Sequence, residues 1–150
     1  MEQNNEALSA TQIDTFAAFP PLADADWLLD PAPYKAELQR GEREDEIALS
    51  NGLIRRAFRL APNVATIAYD NLMSGVSILR GVKPEVTIQV DGRQWELGGL
   101  LGQEEYAYLR PEWVEEFSAD EAAFQYCGLA TGEPRAHLDW RRGRHAPELP

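Results

Sequence analysis

Residues Glu85 to Leu97, EVTIQVDGRQWEL, form the stretch from which the fold can be predicted. The first half alternates apolar β-branched residues with polar ones, which is typical of a strand with one buried face. The apolar residues are Val86, Ile88 and Val90. Asp91 and Gly92 follow, and this pair favours a type I′ turn because both central residues of that turn need a positive φ. The stretch therefore predicts a β-hairpin.

The register of this hairpin follows from its turn. A two-residue turn places Ile88 opposite Trp95 and Val86 opposite Leu97, so the large apolar side chains share one face. A slip of one residue would expose Trp95 to water. Turn chemistry and apolar alternation thus agree on one register.

A second hairpin is predicted earlier in the chain, at Asn51-Gly52, which also favours a two-residue turn. This turn pairs Ser50 with Leu53 and Leu49 with Ile54.

The strand after that turn carries both apolar and basic residues. Alternation places Arg56 on the apolar face, while Arg55 and Arg59 point away from it. The apolar residues of that face are Ile54, Phe58 and Leu60.

Helix signals are short and few. Ser9–Gln12 has the spacing of a capping box, and Ser118–Glu121 repeats that pattern. Pro111 suits the first position of a short helix, with Glu112 favourably placed in the first turn. Its apolar side is predicted to hold Trp113, Val114 and Phe117.

The chain around these helix signals is predicted to be partly flexible and partly extended. A flexible segment is predicted from the glycines at 98, 99 and 102. Phe124 and Tyr126 suggest a return to strand, in which Cys127 would be a small buried side chain. Residues 136–140 alternate again and indicate a further strand.

These patterns together predict a mainly β fold, an antiparallel β-sandwich with one or two short helices. Residues 1–45 read as an acidic, proline-containing leader strap, since the first 50 residues hold 11 acidic and 3 basic side chains. The sandwich module is assigned to residues 46–142 and an exit linker to residues 143–150.

The overall charge restricts the partners. The 150 residues include 25 acidic and 14 basic side chains, for a net charge of −11. This balance argues against nucleic acid and anionic membrane surfaces, because both recruit lysine and arginine. A single cysteine excludes an intrachain disulfide framework.

The localisation expected from the sequence as written is cytoplasmic. The first 20 residues hold acidic side chains where a signal peptide needs basic ones, and no apolar run reaches the length of about 20 residues that crosses a bilayer. If the sequence is a fragment of an exported protein, the expectation changes to an exported one.

No reactive constellation is found in the sequence. The two histidines and Cys127 lack metal-ligand spacing, so we predict no metal site. Glu104-Glu105 and Glu115-Glu116 are sequence neighbours that do not converge on one point, and no nucleophile or phosphate-binding motif is found. We therefore predict no catalytic residue and no cofactor, and a chain that is not catalytic by itself.

One segment, Gly98 to Trp113, has the composition of a glycan contact. Aromatic faces suit the C–H side of a sugar ring, and amides suit its hydroxyl groups. The candidate residues are Gln103, Tyr106, Tyr108 and Trp113. The alternative is that these rings cap an open end of the core.

Two longer stretches resemble a known family. LSNGLIRRAFRLAPNVATIAYDNLMSGVSILRGVKPEVTIQVDG, residues 49–92, and WELGGLLGQEEYAYLRPEWVEEF, residues 95–117, resemble the amino-terminal portion of large bacterial alpha-galactosidase-like glycoside hydrolases. In that family a β-supersandwich precedes a (β/α)8 barrel that carries the catalytic acids. The resemblance implies that this chain is part of a supersandwich and that the catalytic acids have no counterparts in it.

Two functions follow as hypotheses. The first, implied by the resemblance, is a non-catalytic β-sandwich module that supports a catalytic barrel domain and contacts a galactose-type glycan. The second is a stand-alone interaction domain that pairs with another protein chain through an exposed sheet edge.

Overall fold

A computed structural model describes residues 26–132 of the chain. Five strands form an antiparallel sheet in which each strand pairs with the next in sequence. They are β1 (Glu37–Arg40), β2 (Glu46–Ser50), β3 (Ile54–Arg59), β4 (Ala65–Asn71) and β5 (Val76–Ser77). A separate antiparallel hairpin contains β6 (Val86–Val90) and β7 (Arg93–Leu97), and a 3₁₀ helix spans Pro111–Glu116. The predicted mainly β class is confirmed.

The sheet begins earlier than the predicted module. β1 lies before residue 46, inside the stretch that composition assigned to the leader strap. The capping box at Ser9–Gln12, the strand at 136–140 and the linker at 143–150 lie outside the described residues.

Helix is limited to one short element between residues 26 and 132. The 3₁₀ helix starts at Pro111, as predicted, and buries Val114. The second capping-box pattern forms a turn instead, in which Asp120 Oδ1 accepts a hydrogen bond from the Ala122 N–H at 2.8 Å. No helix in this range is long and apolar enough to span a membrane.

The β6–β7 hairpin has the predicted register. Ile88 faces Trp95, and Val86 faces Leu97. The turn residues Asp91 and Gly92 have φ of 50° and 77°, as a type I′ turn requires.

The β2–β3 hairpin forms, but its predicted register is wrong: the turn lies one residue further along the chain, so each β2 residue pairs with a residue two positions later than predicted. Ser50 pairs with Arg55, so the turn is centred on Gly52-Leu53 rather than Asn51-Gly52. The reason is the Asn51 side chain, whose Oδ1 accepts hydrogen bonds from the N–H groups of Leu53 at 3.1 Å and Ile54 at 3.0 Å. Asn51 thereby precedes the turn, and Gly52, with φ of 82°, takes the first central position, as in a type II′ turn.

The two faces of β3 are also reversed relative to the prediction. Arg55 and Arg59 are each only 5% exposed, whereas Ile54 is 46% exposed. Burial of the guanidinium groups is tolerated because each meets a carboxylate. Arg55 Nη2 lies 2.6 Å from Asp70 Oδ2, and Arg59 Nη2 lies 2.8 Å from Glu46 Oε1.

The apolar core is covered by the 3₁₀ helix and irregular segments, and none of its members belongs to β6 or β7. The clustered buried residues are Ala65, Val82, Leu100, Val114 and Phe117.

The supersandwich that the resemblance implies stays a prediction.

The start of the glycine segment after β7 is packed against the rest of the fold. Gly98 and Gly99 are buried with φ of 66° and 89°. A Cβ atom at Gly98 would collide with the Val64 carbonyl, and one at Gly99 would lie 2.7 Å from the Pro84 nitrogen. The Gly99 N–H donates to Val64 O at 2.7 Å, so these glycines allow close backbone contact.

The strand predicted around Phe124 and Tyr126 is reduced to one parallel bridge between Leu97 and Phe124. Asn63, which is fully buried, holds this segment: its Oδ1 accepts from the Tyr126 N–H at 2.8 Å. Cys127 was predicted to be buried and is exposed, because the chain is not in a strand there.

Candidate functional site

Gln103 is the buried centre of the predicted glycan segment. Its Oε1 accepts from the Val82 N–H at 3.1 Å, and its Nε2 donates to Arg80 O at 2.7 Å. The same Nε2 lies 2.8 Å from Glu105 O and 3.1 Å from Tyr108 O. The amide therefore fixes the loop from Glu105 to Tyr108, and it acts as a positioning residue rather than a ligand contact.

Tyr108 and Trp113 are brought together by this loop and the 3₁₀ helix. Their ring centroids are 5.2 Å apart, with the planes tilted by 40°. Tyr108 is 47% exposed, while the half-buried Trp113 packs against the core. The pair forms the aromatic wall of a cleft of about 420 Å³.

Charged groups surround this cleft. The acidic side chains that line it are Glu104, Glu105 and Glu116. Arg110 lies over both rings, with its guanidinium carbon 5.6 Å from the Tyr108 centroid and 5.5 Å from the Trp113 centroid. Such cation–π contacts restrain the rings. The cleft thus combines an aromatic wall with carboxylate acceptors, which suits a neutral or basic ligand bearing hydroxyl or amino groups.

Tyr106 belongs to a different surface and does not line the cleft. The Lys83 Nζ lies 3.8 Å from the centroid of its ring. The ring also covers Gly81, where a Cβ atom would lie 2.8 Å from Tyr106 Cδ1. Three of the four predicted residues therefore meet at one cleft, and Tyr106 is separate.

A larger groove of about 580 Å³ lies over the outer face of the sheet. Its apolar lining includes Leu49, Ile54 and Tyr69, of which Leu49 is 50% exposed. Sequence reasoning missed this groove because it predicted that the β3 face carrying Ile54 is the apolar, covered face, with Arg55 and Arg59 on the opposite face. The alternation of apolar residues was the available signal, but it does not show which face is covered.

A polar network closes one end of the groove. Glu85 Oε1 accepts from both the N–H and the Oγ1 hydroxyl of Thr66 at 2.6 Å, while Glu85 Oε2 accepts from Arg56 Nη2. This carboxylate therefore joins the start of β6 to β3 and β4.

A second ionic cluster holds the 3₁₀ helix on the sheet. Glu115 accepts from Arg59 Nη2 at 3.0 Å and lies 3.1 Å from Arg43 Nη1. Asp45 accepts from Arg43 Nε at 2.9 Å. The hydrogen bond from Arg43, helped by the charge of Arg59, holds the pKa of Asp45 below its usual range although burial opposes this. The cluster fixes the helix that carries Trp113.

Metal binding has no candidate among residues 26–132, where no group of three or more histidine, cysteine or acidic side chains converges. Comparison of the chain with protein-family models, with curated proteins and with solved structures finds no match. The resemblance to glycoside hydrolases therefore stays a prediction based on residues 49–92 and 95–117.

Proposed function

We propose that the chain is a non-catalytic β module that contacts a galactose-type glycan through the cleft beside Tyr108 and Trp113. The observation that carries this proposal is the pairing of the two tilted rings, 5.2 Å apart, with three lining glutamates. An aromatic ring packs on the C–H face of a sugar, and carboxylates accept hydrogen bonds from its hydroxyl groups.

The size and charge of the cleft narrow the ligand class. A volume of about 420 Å³ falls in the range of small-molecule sites and suits one or two sugar rings. The acidic lining disfavours phosphorylated or carboxylated sugars because like charges repel at short range. Neutral sugars of the galactose type fit both conditions.

No catalytic step is assigned to this cleft. Glycoside hydrolysis needs two carboxyl groups on opposite sides of the scissile bond. Glu104 and Glu105 are adjacent in sequence, and Glu105 Oε1 already accepts from the Ala107 N–H at 2.8 Å. The glycan contact is therefore proposed as a binding function.

The supporting role is proposed for the outer face of the sheet. Leu49, Ile54 and Tyr69 expose apolar surface there, around the groove of about 580 Å³. Exposed apolar patches of this kind serve as protein contacts. The partner we propose is the catalytic barrel domain that the family resemblance implies.

Titration calorimetry of the purified chain with galactose and its α-linked disaccharides tests the glycan contact. We expect a dissociation constant of about 1 mM or lower, and a loss of about tenfold in affinity for Tyr108→Ala. Tyr108 is the better probe because Trp113 also packs against the core.

Tyr106→Ala is the matched control, since it removes an exposed tyrosine ring outside the cleft. It should leave the affinity unchanged. Absence of binding up to about 10 mM sugar, or an equal loss in both variants, would contradict the proposal.

A further inference from the structure

The two outer edges of the β6–β7 hairpin differ. The outer edge of β7 is occupied: the Phe124 N–H donates to Glu96 O at 2.8 Å, and the Gly98 N–H donates to Phe124 O at 3.2 Å. β6 pairs with β7 and with no other strand of the part of the chain that the structure describes. Within residues 26–132, β6 is therefore the open edge of this small sheet.

The hydrogen bonds of Phe124 also show which backbone groups of β6 point outward. Since Glu96 directs its carbonyl away from β6, it belongs to a pair that exchanges no hydrogen bonds within the hairpin. Its partner is Thr87, and the next pair of the same kind is Gln89 with Gln94. The N–H and C=O groups of Thr87 and Gln89 therefore point out of the open edge.

This edge lacks the usual protection against pairing. Natural edge strands are short, or carry charged residues or proline. β5 has only two residues, and β1 has charged residues at both ends. β6, with sequence VTIQV, has five residues, no charge and no proline. Two-stranded hairpins are marginally stable alone and gain stability from a further strand.

We infer that β6 pairs antiparallel with β6 of a second copy of this chain, around a two-fold axis at Ile88. The sequence is self-complementary in this register: Ile88 faces its own copy, Val86 faces Val90, and Thr87 faces Gln89. The Thr87–Gln89 pairs exchange the outward backbone hydrogen bonds, and the apolar residues join into one face. The product is a four-stranded sheet in the order β7, β6, β6, β7.

Charge does not oppose this pairing. Residues 51–100 hold six basic and four acidic side chains, so this region does not share the acidity of the rest of the chain. Beyond the paired residues, Asp91 comes opposite Glu85 of the second copy. The Glu85 carboxylate is held by Arg56 and Thr66, which reduces the repulsion.

Sedimentation equilibrium of the full chain across about 10 μM to 1 mM tests the inference. We expect a reversible monomer–dimer equilibrium that Gln89→Pro weakens by at least about tenfold. Proline at this position removes an outward N–H and leaves the bonds within the hairpin intact. Gln94→Pro, on the facing position of β7, is the matched control and should retain the dimer.

A second variant and a second measurement separate loss of pairing from loss of folding. Thr87→Lys adds charge to the edge without restricting the backbone and should also weaken the dimer. In the wild type, amide exchange at Thr87 and Gln89 should slow as the protein concentration rises. A monomer throughout, a dimer that Gln89→Pro leaves unchanged, or a monomer that instead captures an unrelated extended peptide would overturn the inference.

Discussion

The β6–β7 and β2–β3 hairpins both contain, between their strands, a dipeptide typical of two-residue turns, yet their turns are built differently. In β6–β7 the backbone makes the turn, with positive φ at both Asp91 and Gly92. In β2–β3 a side chain makes it, because Asn51 Oδ1 binds the amides of Leu53 and Ile54. An asparagine side chain can therefore move a turn by one residue without changing the turn-forming composition of the sequence.

The hairpins also differ in what they bury. β6–β7 contains no buried ion pair among the described contacts, whereas β3 buries Arg55 and Arg59. Arg59 meets Glu46 across the same hairpin, but its second partner, Glu115, is separated from it by 56 residues, and Asp70 is separated from Arg55 by 15 residues. Alternation within a strand defines two faces, but distant partners decide which face is buried.

The largest expected effect comes from comparing the loss of a buried charge in the five-stranded sheet with the loss of a surface charge in the β6–β7 hairpin. Asp70→Ala removes the carboxylate that faces the Arg55 guanidinium at 2.6 Å. Because the buried Arg55 guanidinium loses this carboxylate, we expect the free energy of unfolding to fall by about 3–5 kcal/mol. Urea unfolding followed by far-ultraviolet circular dichroism measures this loss.

Arg93→Ala is the control from the other hairpin. The Arg93 guanidinium carbon lies 4.0 Å from the centroid of Trp95 at an exposed position, and its loss should reduce stability by only about 0.5 kcal/mol. Equal losses for the two variants would show that burial of the arginines does not distinguish the hairpins.

Local chemistry explains which parts of the fold could be predicted. The β6–β7 register depends on residues within one short segment, and it was predicted correctly. The covered face of β3 and the packed glycines at 98 and 99 depend on residues distant in sequence, such as Asp70 and Val64. The covered face of β3 was predicted wrongly, and the packing of the glycines was not predicted, because nothing in the local pattern carries that information.

The candidate site shows the same limit. Aromatic composition singled out Tyr106, Tyr108 and Trp113, but it did not distinguish the two rings at the cleft from the one over Lys83. That separation is set by Gln103, whose buried amide binds backbone groups on both sides of the loop. A glutamine read from sequence alone does not show whether its amide faces a ligand or its own backbone.

A loss of stability of intermediate size tests whether the Asn51 side chain makes the β2–β3 turn. Asn51→Ala removes the acceptor for two turn amides, and we expect the free energy of unfolding to fall by about 1 kcal/mol. Asn51→Asp keeps the acceptor and should change stability by less than about 0.5 kcal/mol. If both variants match the wild type in chemical denaturation, the backbone alone makes this turn, as in β6–β7.

The smallest expected effect concerns acid sensitivity near the start of β2. Asp45 precedes β2 and accepts a hydrogen bond from Arg43, which lowers its pKa. A carboxyl group whose folded-state pKa is depressed stabilises the fold above its unfolded pKa of about 3.9, and this stability is lost as the pH falls through the folded pKa.

Asp45→Asn should therefore reduce stability slightly at pH 7, and its difference from the wild type should shrink as the pH falls through the folded-state pKa of Asp45. The urea midpoint measured from pH 7 down to pH 2 gives this comparison, and its shift at pH 7 should be smaller than that of Asn51→Ala. Glu121→Gln, at an exposed position, serves as the control for the loss of one negative charge. A difference between Asp45→Asn and the wild type that stays constant across this range would mean that Asp45 acts through its shape and not through its charge.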